Sequence, residues 1–228
     1  SKYNIYMKFQ KEIEMYKQKG YFILPNYFTD EKINLIDKKI QNLKNDIDLT
    51  KSIYTLSKSN NKLMRIEYFI KENKEIYESI INEELHNLIC NLLDDEDFYL
   101  YKDKFISKQK NSDEFLPHTD GIYKTYNYRI KKETMGWYTY ATEFIQFGIM
   151  MTDNNEENGC LNINDKITDD INHLYENYVD KESKSGYINP KVLKEKKILD
   201  NSTKIIGKKG SIFFFNPKCI HFSSINKT

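Results

Sequence analysis

The feature that most restricts the fold of this chain is a change of hydrophobic period near residue 97. Before it, apolar residues recur at helical spacing, as in the stripe from Ile33 to Leu43 behind Thr29, a plausible N-cap. After it, short aromatic and β-branched runs alternate with polar turns. Helices followed by many short strands predict an α+β fold in which N-terminal helices flank a β-sandwich or barrel.

The 228 residues fit a single domain, with 1–96 as mainly helical support and 97–228 as the β core. Gly20 is placed to end a first helix before a strand at 21–25, and residues 83–93 predict another helix. Strands are expected in 97–109, 115–120, 143–151, 160–164, 211–215 and 220–223. A Tyr-rich loop (121–142) and a charged insertion (165–201), with a helix capped by Thr168, interrupt them.

Composition excludes several classes of protein. The net charge is +1, with 35 basic and 34 acidic residues, so no nucleic-acid partner or anionic membrane surface is indicated. No apolar run approaches the roughly 20 residues that span a bilayer, and the first residues are polar. The cysteines at positions 90, 160 and 219 show no scaffold spacing. We therefore expect a soluble, cytoplasmic protein, and the oligomeric state stays open.

The residues best suited to chemistry are two of the four histidines. His118 belongs to an H-x-D sequence with Asp120, and alternation along a strand would place both side chains on one face. His221 follows an apolar strand about a hundred residues later. Two His and one carboxylate on one side of an octahedral metal are typical of Fe(II) oxygenases. His86 and His173 are expected to be structural or exposed.

Four segments then resemble a known family in the family's order. They are Leu116-Pro117-His118-Thr119-Asp120-Gly121, the turn at 151–161 (MTDNNEENGCL), Gly210-Ser211-Ile212-Phe213-Phe214-Phe215, and His221-Phe222-Ser223-Ser224-Ile225-Asn226. This arrangement resembles the phytanoyl-CoA dioxygenase family, which includes ectoine hydroxylases, over about residues 97–228. The resemblance implies a double-stranded β-helix (jelly-roll, cupin-like) and a dependence on Fe(II), 2-oxoglutarate and O2.

The same resemblance implies roles for individual residues. His118, Asp120 and His221 would be the iron ligands and the catalytic residues, and Ser223 would help to bind the co-substrate carboxylate. Gln146, on the strand predicted at 143–151, is a further candidate for co-substrate binding. Halogenating relatives lack the carboxylate ligand, so Asp120 favours hydroxylation or another oxidation, such as desaturation or ring closure.

One element of the family pattern is absent from the sequence. Relatives commonly place an Arg beyond the distal His to pair with the co-substrate carboxylate, at a position past Thr228. Either a further segment carries that Arg, or another cation substitutes for it. Lys108 and Lys104 are the candidates, although an ammonium lacks the fork of Arg. Both could instead be solvated lysines at a strand edge.

The Tyr-rich loop is the predicted cover for a small-molecule substrate. Tyr123 and Trp137 would contact the substrate, and Arg129 could pair with an anionic group. The alternative is that these aromatic residues pack the loop onto the barrel. The acidic turn at 154–159 lacks the ligand pattern of a calcium loop and is expected to be a tight turn, with a positive φ at Gly159.

The sequence thus favours an Fe(II)- and 2-oxoglutarate-dependent oxygenase that oxidises an unactivated C–H bond of a small molecule. Two other interpretations stay open. One is a cupin-like metalloenzyme without 2-oxoglutarate, although such proteins usually offer more well-placed histidines than the two found here. The other is a non-catalytic β-sandwich binding module, which the absent Arg favours.

Overall fold

The structure, a computed structural model, describes residues 2–46, 53–56, 62–111 and 114–228. Its helices are α1 (Lys2–Lys8), α2 (Gln10–Lys19), α3 (Asp30–Asp46), α4 (Lys74–Ile80), α5 (Glu83–Leu93), α6 (Ile171–Asn177) and α7 (Pro190–Glu195), with a 3-10 turn at Gly136–Thr139. Its strands are β1 (Tyr21–Leu24), β2 (Ile53–Leu56), β3 (Leu63–Glu67), β4 (Lys104–Ile106), β5 (Phe115–His118), β6 (Lys124–Asn127), β7 (Lys132–Met135), β8 (Gln146–Ile149), β9 (Leu161–Ile163), β10 (Thr203–Lys204), β11 (Ile212–Phe215) and β12 (His221–Ser223).

Two antiparallel sheets pack face to face. Their strand orders are β1-β11-β8 and β10-β9-β12-β5. Along β11 the side chains alternate: Phe214 joins the buried core with the N-terminal helices, while Phe213 and Phe215 join a second cluster with Ile163 of the other sheet. This arrangement is the predicted α+β fold with a jelly-roll core and flanking N-terminal helices.

The predicted helix boundaries near the N-terminus are confirmed. Gly20 ends α2 with a φ of 89°, and its N–H donates to Tyr16 O, so the chain turns directly into β1. Thr29 caps α3 by accepting from the Lys32 N–H at 3.3 Å, and the apolar stripe of α3 is buried as expected. These elements form a wall behind the first sheet.

The insertion at 165–201 is an ordered part of the core. It contains two helices, α6 and α7, which pack with Ile122 and Ile220 in a separate apolar cluster. The predicted cap at Thr168 is wrong: Asp170 caps α6 by accepting from two backbone N–H groups, and Thr168 bonds only to Asp170 N–H. Residues 186–188 continue the second sheet beyond β5, since Ile188 N–H donates to Pro117 O and Thr119 N–H donates to Gly186 O.

Other parts of the chain differ from the expectation. The segment 121–142 is not simply a loop, because β6 and β7 form a hairpin within it. These strands are polar and mostly exposed, so they lack the apolar alternation that predicts a strand. The first third also contributes β2 and β3, which form a sheet with β4. β4 itself is much shorter than the strand predicted at 97–109. Among the described helices, none is both long and apolar enough to cross a bilayer.

Candidate metal centre

Pairing of β5 with β12 brings the two predicted histidines together from distant parts of the sequence. His118 and His221 are direct partners across the two strands, and their ring centroids lie 4.2 Å apart. The ring of Phe215 lies 4.9 Å from that of His221 and forms part of the wall beneath it. Both histidines therefore sit on the inner side of the second sheet.

Backbone carbonyl groups fix the orientation of each imidazole. His118 Nδ1 lies 2.6 Å from Leu116 O, and His221 Nδ1 lies 2.9 Å from Cys219 O. A carbonyl oxygen only accepts hydrogen bonds, so each Nδ1 carries a proton, and each Nε2 lies on the side of Asp120. Hydrogen bonds of this kind from the far ring nitrogen are usual for histidines that bind a metal.

Asp120 completes the cluster from just outside the strand. β5 ends at His118, so the predicted strand at 115–120 is too long, and Asp120 lies in the following turn. Its backbone N–H donates to Pro217 O at 3.0 Å, which ties this turn to the turn before β12. The Asp120 carboxylate lies 3.2 Å from His221 Nε2 and 3.8 Å from His118 Nε2.

The electrostatics of the cluster suit a bound cation. Burial, helped by the neighbouring His221, lowers the pKa of His118 to about 4, so this ring is neutral near pH 7. Burial acts against ionisation of Asp120, but His221 and His118 outweigh it and hold the pKa of that carboxyl well below its usual range. For His221, burial is outweighed by Asp120, which raises the pKa. An ionised carboxylate thus faces two imidazole nitrogens.

The geometry passes a direct test for a metal ion. The three candidate ligand atoms all lie within 4.8 Å of one another. Metal–ligand bonds of about 2.1 Å at right angles place neighbouring ligand atoms about 3 Å apart. Two nitrogen ligands and one carboxylate oxygen match the ligand set of Fe(II) oxygenases, and an octahedral ion would keep three positions open for other ligands. The residues present therefore fit iron.

Gln146 contacts Asp120, the candidate carboxylate ligand. Its side-chain Nε2–H donates to Asp120 Oδ2 from the start of β8, in the opposite sheet. This contact orients the carboxylate, a function that the sequence did not indicate. The expectation that Gln146 binds the co-substrate is a separate claim and stays a prediction.

Lys108 and Ser223 lie together beside the cluster. The Lys108 ammonium donates to Ser223 Oγ at 2.9 Å, to Gly159 O at 3.4 Å and to Ser224 O. Gly159 has a φ of 72°, as predicted, and a Cβ there would lie 2.4 Å from Ser224 O. The turn at 154–159 thus supports the lysine through its backbone, and burial lowers the pKa of Lys108.

The predicted substrate residues lie in different surroundings. Trp137 packs over Gly121, directly after Asp120, and its ring lies 5.4 Å from that of Tyr101. Tyr123 packs against Gly136, where a Cβ would lie 3.1 Å from its ring, and burial raises the pKa of its hydroxyl. Arg129 is exposed at the tip of the β6–β7 hairpin, where its N–H donates to Asn127 Oδ1. Substrate contact by these residues stays a prediction.

Gly186, in the insertion at 165–201, supports the H-x-D segment, a function that was not predicted from the sequence. Gly186 has a φ of 72°, and a Cβ there would lie 2.2 Å from Thr119 O. Thr119, between His118 and Asp120, is fully buried and bonded to Gly186 through its backbone N–H. In the sequence, only the position of Gly186 in a turn between helices could have indicated that this glycine supports the H-x-D segment. The remaining histidines, His86 and His173, are exposed, as expected.

Comparisons with known proteins agree on one family. A family model described as Phytanoyl-CoA dioxygenase (PhyH) matches residues 16–228. No curated protein sequence matches the chain significantly. The family match begins near the end of α2 and covers α3, α4 and α5 as well as the β core, whereas the resemblance in the sequence was confined to about residues 97–228.

Solved structures share the fold at low sequence identity. EctD from S. alaskensis, with 2-oxoglutarate and 5-hydroxyectoine, is similar with a TM-score of 0.68 and 16% identity, covering 96% of this chain and 71% of EctD. The epimerase SnoN, in complex with Fe3+, alpha ketoglutarate and nogalamycin RO, gives 0.64 and 12%, covering 97% and 79%. The alpha ketoglutarate dependent carbocyclase SnoK from nogalamycin biosynthesis gives 0.62 and 11%, covering 96% and 78%.

Proposed function

The chain belongs to the phytanoyl-CoA dioxygenase family, and from this premise we propose that it hydroxylates, or otherwise oxidises, an unactivated C–H bond of a small molecule. It is a non-haem oxygenase that depends on Fe(II) and 2-oxoglutarate. The observation that carries the proposal is the convergence of His118 Nε2, His221 Nε2 and an Asp120 oxygen within 4.8 Å.

The iron, when bound, would activate O2 as 2-oxoglutarate is decarboxylated, and this chemistry belongs to the cofactor. The protein holds the three ligands in place. Leu116 O and Cys219 O fix the two imidazole rings, and Gln146 fixes the Asp120 carboxylate. Asp120 would occupy the metal position that a halide needs in halogenating relatives. Its presence therefore favours hydroxylation, desaturation or ring closure over halogenation.

Lys108 is our candidate for the cation that binds the distal carboxylate of 2-oxoglutarate. Its three acceptors are neutral oxygens, one of them the Ser223 hydroxyl that the family resemblance assigns to this carboxylate. Within the described ranges, no carboxylate oxygen lies within 4.0 Å of the Lys108 ammonium. Glu114 acts on this ammonium only from beyond that distance, and a partly buried ammonium without a directly paired carboxylate favours an incoming anion.

Turnover of the co-substrate tests the enzymatic proposal. The purified chain with Fe(II) and ascorbate should consume 2-oxoglutarate and release succinate, and Asp120→Ala should abolish this reaction without loss of the fold. The matched control is His173→Ala, which removes an exposed histidine and should leave turnover unchanged. Full turnover in Asp120→Ala would contradict the assigned ligands. Absence of both metal binding and turnover in the unaltered chain would contradict the proposal as a whole.

A second experiment tests the assignment of Lys108. Lys108→Gln should weaken 2-oxoglutarate binding to the Mn(II)-loaded protein by about 10- to 100-fold, since a hydrogen bond to a charged group contributes about 1.5–3 kcal/mol. Lys108→Arg should restore most of the affinity because it restores the charge. Unchanged affinity in Lys108→Gln, measured by calorimetry, would assign the carboxylate to another cation.

A further inference from the structure

Lys218, in the turn before β12, carries a charged side chain into the interior of the protein. Its side chain is 3% exposed, and its ammonium lies 3.2 Å from each carboxylate oxygen of Glu143 and 3.7 Å from Asp169 Oδ1. The ring centroid of Tyr138 lies 5.8 Å from the same ammonium. A buried ammonium is stable only where counter-charges replace water, and the loss of its partner is costly. Lys218 and Glu143 are therefore held together in the folded chain.

The turn around Lys218 holds two of the three candidate metal ligands. On one side of Lys218, Pro217 O accepts from the Asp120 N–H at 3.0 Å. On the other side, Cys219 O accepts from His221 Nδ1 at 2.9 Å. The position of Lys218 in the fold thus sets the positions of both carbonyl groups that hold these ligands.

Hydrogen bonds make this turn a compact unit. The side-chain oxygen of Asn216 accepts from the Lys218 N–H at 2.9 Å, and the Asn216 backbone oxygen accepts from the Cys219 N–H at 2.9 Å. The Asn216 N–H in turn donates to Gly20 O at 2.7 Å. A displacement of Lys218 therefore moves the carbonyl groups of Pro217 and Cys219 with it.

Glu143, the partner of Lys218, belongs to the segment that holds the Asp120 side chain. It lies three residues before Gln146, whose Nε2–H donates to Asp120 Oδ2 from the start of β8. The ion pair thus joins the segment before β8, in the first sheet, to the turn before β12, in the second. These are the two segments that contact Asp120 through its side chain and through its backbone.

We propose that Lys218 is a positioning residue of the metal centre. Its ion pair with Glu143 fixes the turn at 216–219 against the start of β8, and this sets the spacing of the Asp120 carboxylate and the His221 ring before a metal ion binds. The proposal rests on the proposed function through the assignment of Asp120 and His221 as ligands. Without the ammonium, the two segments lose the contact that joins them, and the ligands lose part of their fixed arrangement.

Metal binding tests the proposal without a substrate. Lys218→Met removes the charge and keeps the apolar stem, and Glu143→Gln removes the charge of a half-exposed partner. Each should lower the affinity for Mn(II) about tenfold, the lower end for residues that orient metal ligands. The visible absorption spectrum of bound Co(II), which depends on ligand geometry, should change as well. Urea unfolding of the metal-free variants measures the stability of the fold separately. If Lys218→Met does not fold, the milder Glu143→Gln decides.

Lys166→Met is the matched control. Lys166 is also mostly buried and pairs with Asp169 at 2.8 Å, but its backbone N–H donates to Lys19 O, far in the sequence from the segments that contact Asp120. This variant should change the Mn(II) affinity less than twofold and leave the Co(II) spectrum unchanged. If Lys218 and Glu143 act as a pair, the double variant should lose no more affinity than Lys218→Met alone.

Three results would overturn the proposal: unchanged Mn(II) affinity and Co(II) spectrum in Lys218→Met and Glu143→Gln, an equal loss in Lys166→Met, or additive losses in the double variant. If Asp120→Ala still loses Mn(II) affinity in the same experiment, the assigned ligands stand and only the positioning role is refuted. If Asp120→Ala also binds Mn(II) normally, the ligand assignment and the positioning role are both refuted.

Discussion

At the scale of single residues, the clustering of His118, Asp120 and His221 could be predicted from sequence, but the contacts that hold these side chains could not. The types and spacing of His118, Asp120 and His221 indicated the set, although Asp120 reaches the site from a turn and not from the strand that the argument assumed. The carbonyls of Leu116 and Cys219, which select the metal-binding ring nitrogens, have no residue-type signal at all. Any residue can supply a backbone oxygen, so such contacts are invisible before the backbone path is known.

Gln146 gives a direct test of how the carboxylate is held. Gln146→Ala removes the donor to Asp120 Oδ2, and we expect affinity for Mn(II) to fall about 10- to 100-fold, as for other residues that orient a metal ligand. The fold should be retained, because Gln146 is only partly buried at the start of β8. Titration of the metal into each variant measures the effect, with Gln109→Ala, an exposed glutamine, as the control. Equal affinities in the two variants would count against an orienting role.

Glu67 gives a prediction for stability against pH. Burial opposes its ionisation, but Arg65 and Lys102 outweigh burial and lower the pKa of Glu67. A folded-state pKa below the unfolded value, about 4.3, means that ionised Glu67 stabilises the fold above that pH and loses this effect as pH falls through the folded-state pKa. Glu67→Gln should therefore lower the free energy of unfolding by about 1–3 kcal/mol at pH 7.

The difference between Glu67→Gln and the unaltered chain should shrink as the pH is lowered below about 4. Urea unfolding at several pH values measures it. Glu78→Gln serves as the control, because Glu78 pairs with Lys74 on an exposed helix face, where such pairs contribute little. A difference that grows toward acid pH would reverse the assigned sign.

At the scale of elements, strands with strong apolar alternation could be predicted and polar ones could not. β11 and β12 lie where the sequence places them, because their buried faces impose the pattern. The β6–β7 hairpin was missed, since its exposed strands are held by backbone pairing and by an Asn127 side chain that accepts from the turn. The segment at 186–188 was missed for a similar reason: it is short, and its pairing partner is distant in sequence.

The pairing of residues 186–188 with β5 predicts that the insertion supports the metal centre. Gly186→Ala would place a Cβ 2.2 Å from Thr119 O at a φ of 72°, so the segment must move away from β5. We expect a loss of about 1–3 kcal/mol in the free energy of unfolding and weaker Mn(II) binding, because Thr119 separates two ligands. Gly207→Ala is the control: its Cβ would meet the flexible end of Met150 at 2.7 Å and make an ordinary contact with Ser211 Cβ at 3.4 Å. Normal Mn(II) affinity in Gly186→Ala would show that the insertion is separable from the centre.

At the scale of the whole molecule, the metal centre joins parts of the chain that are far apart in sequence. β5 and β12 supply the histidines, β8 of the opposite sheet supplies Gln146, and the insertion fixes Thr119. The order of helices and strands predicted the class of fold, because burial of apolar faces restricts how layers can stack. It could not predict which loops support the site, since those contacts depend on backbone hydrogen bonds between distant segments.

Because the ligands converge only in the folded chain, metal binding should stabilise the whole molecule. A free Mn(II) concentration about 100 times its dissociation constant adds about 2.7 kcal/mol to the free energy of unfolding, which corresponds to roughly 5–10 °C in Tm for a chain of this size. Removal of the metal by a chelator should reverse the rise in Tm. The Asp120→Ala variant should show no rise when Mn(II) is added. The control His86→Ala, at an exposed helix position, should show the full rise. Calorimetric scans with and without Mn(II) measure each case. A rise in Tm that persists in Asp120→Ala would show that Mn(II) binds at other groups. A rise that is lost in Asp120→Ala but kept in His86→Ala ties the stability of both sheets to the His118, Asp120 and His221 cluster.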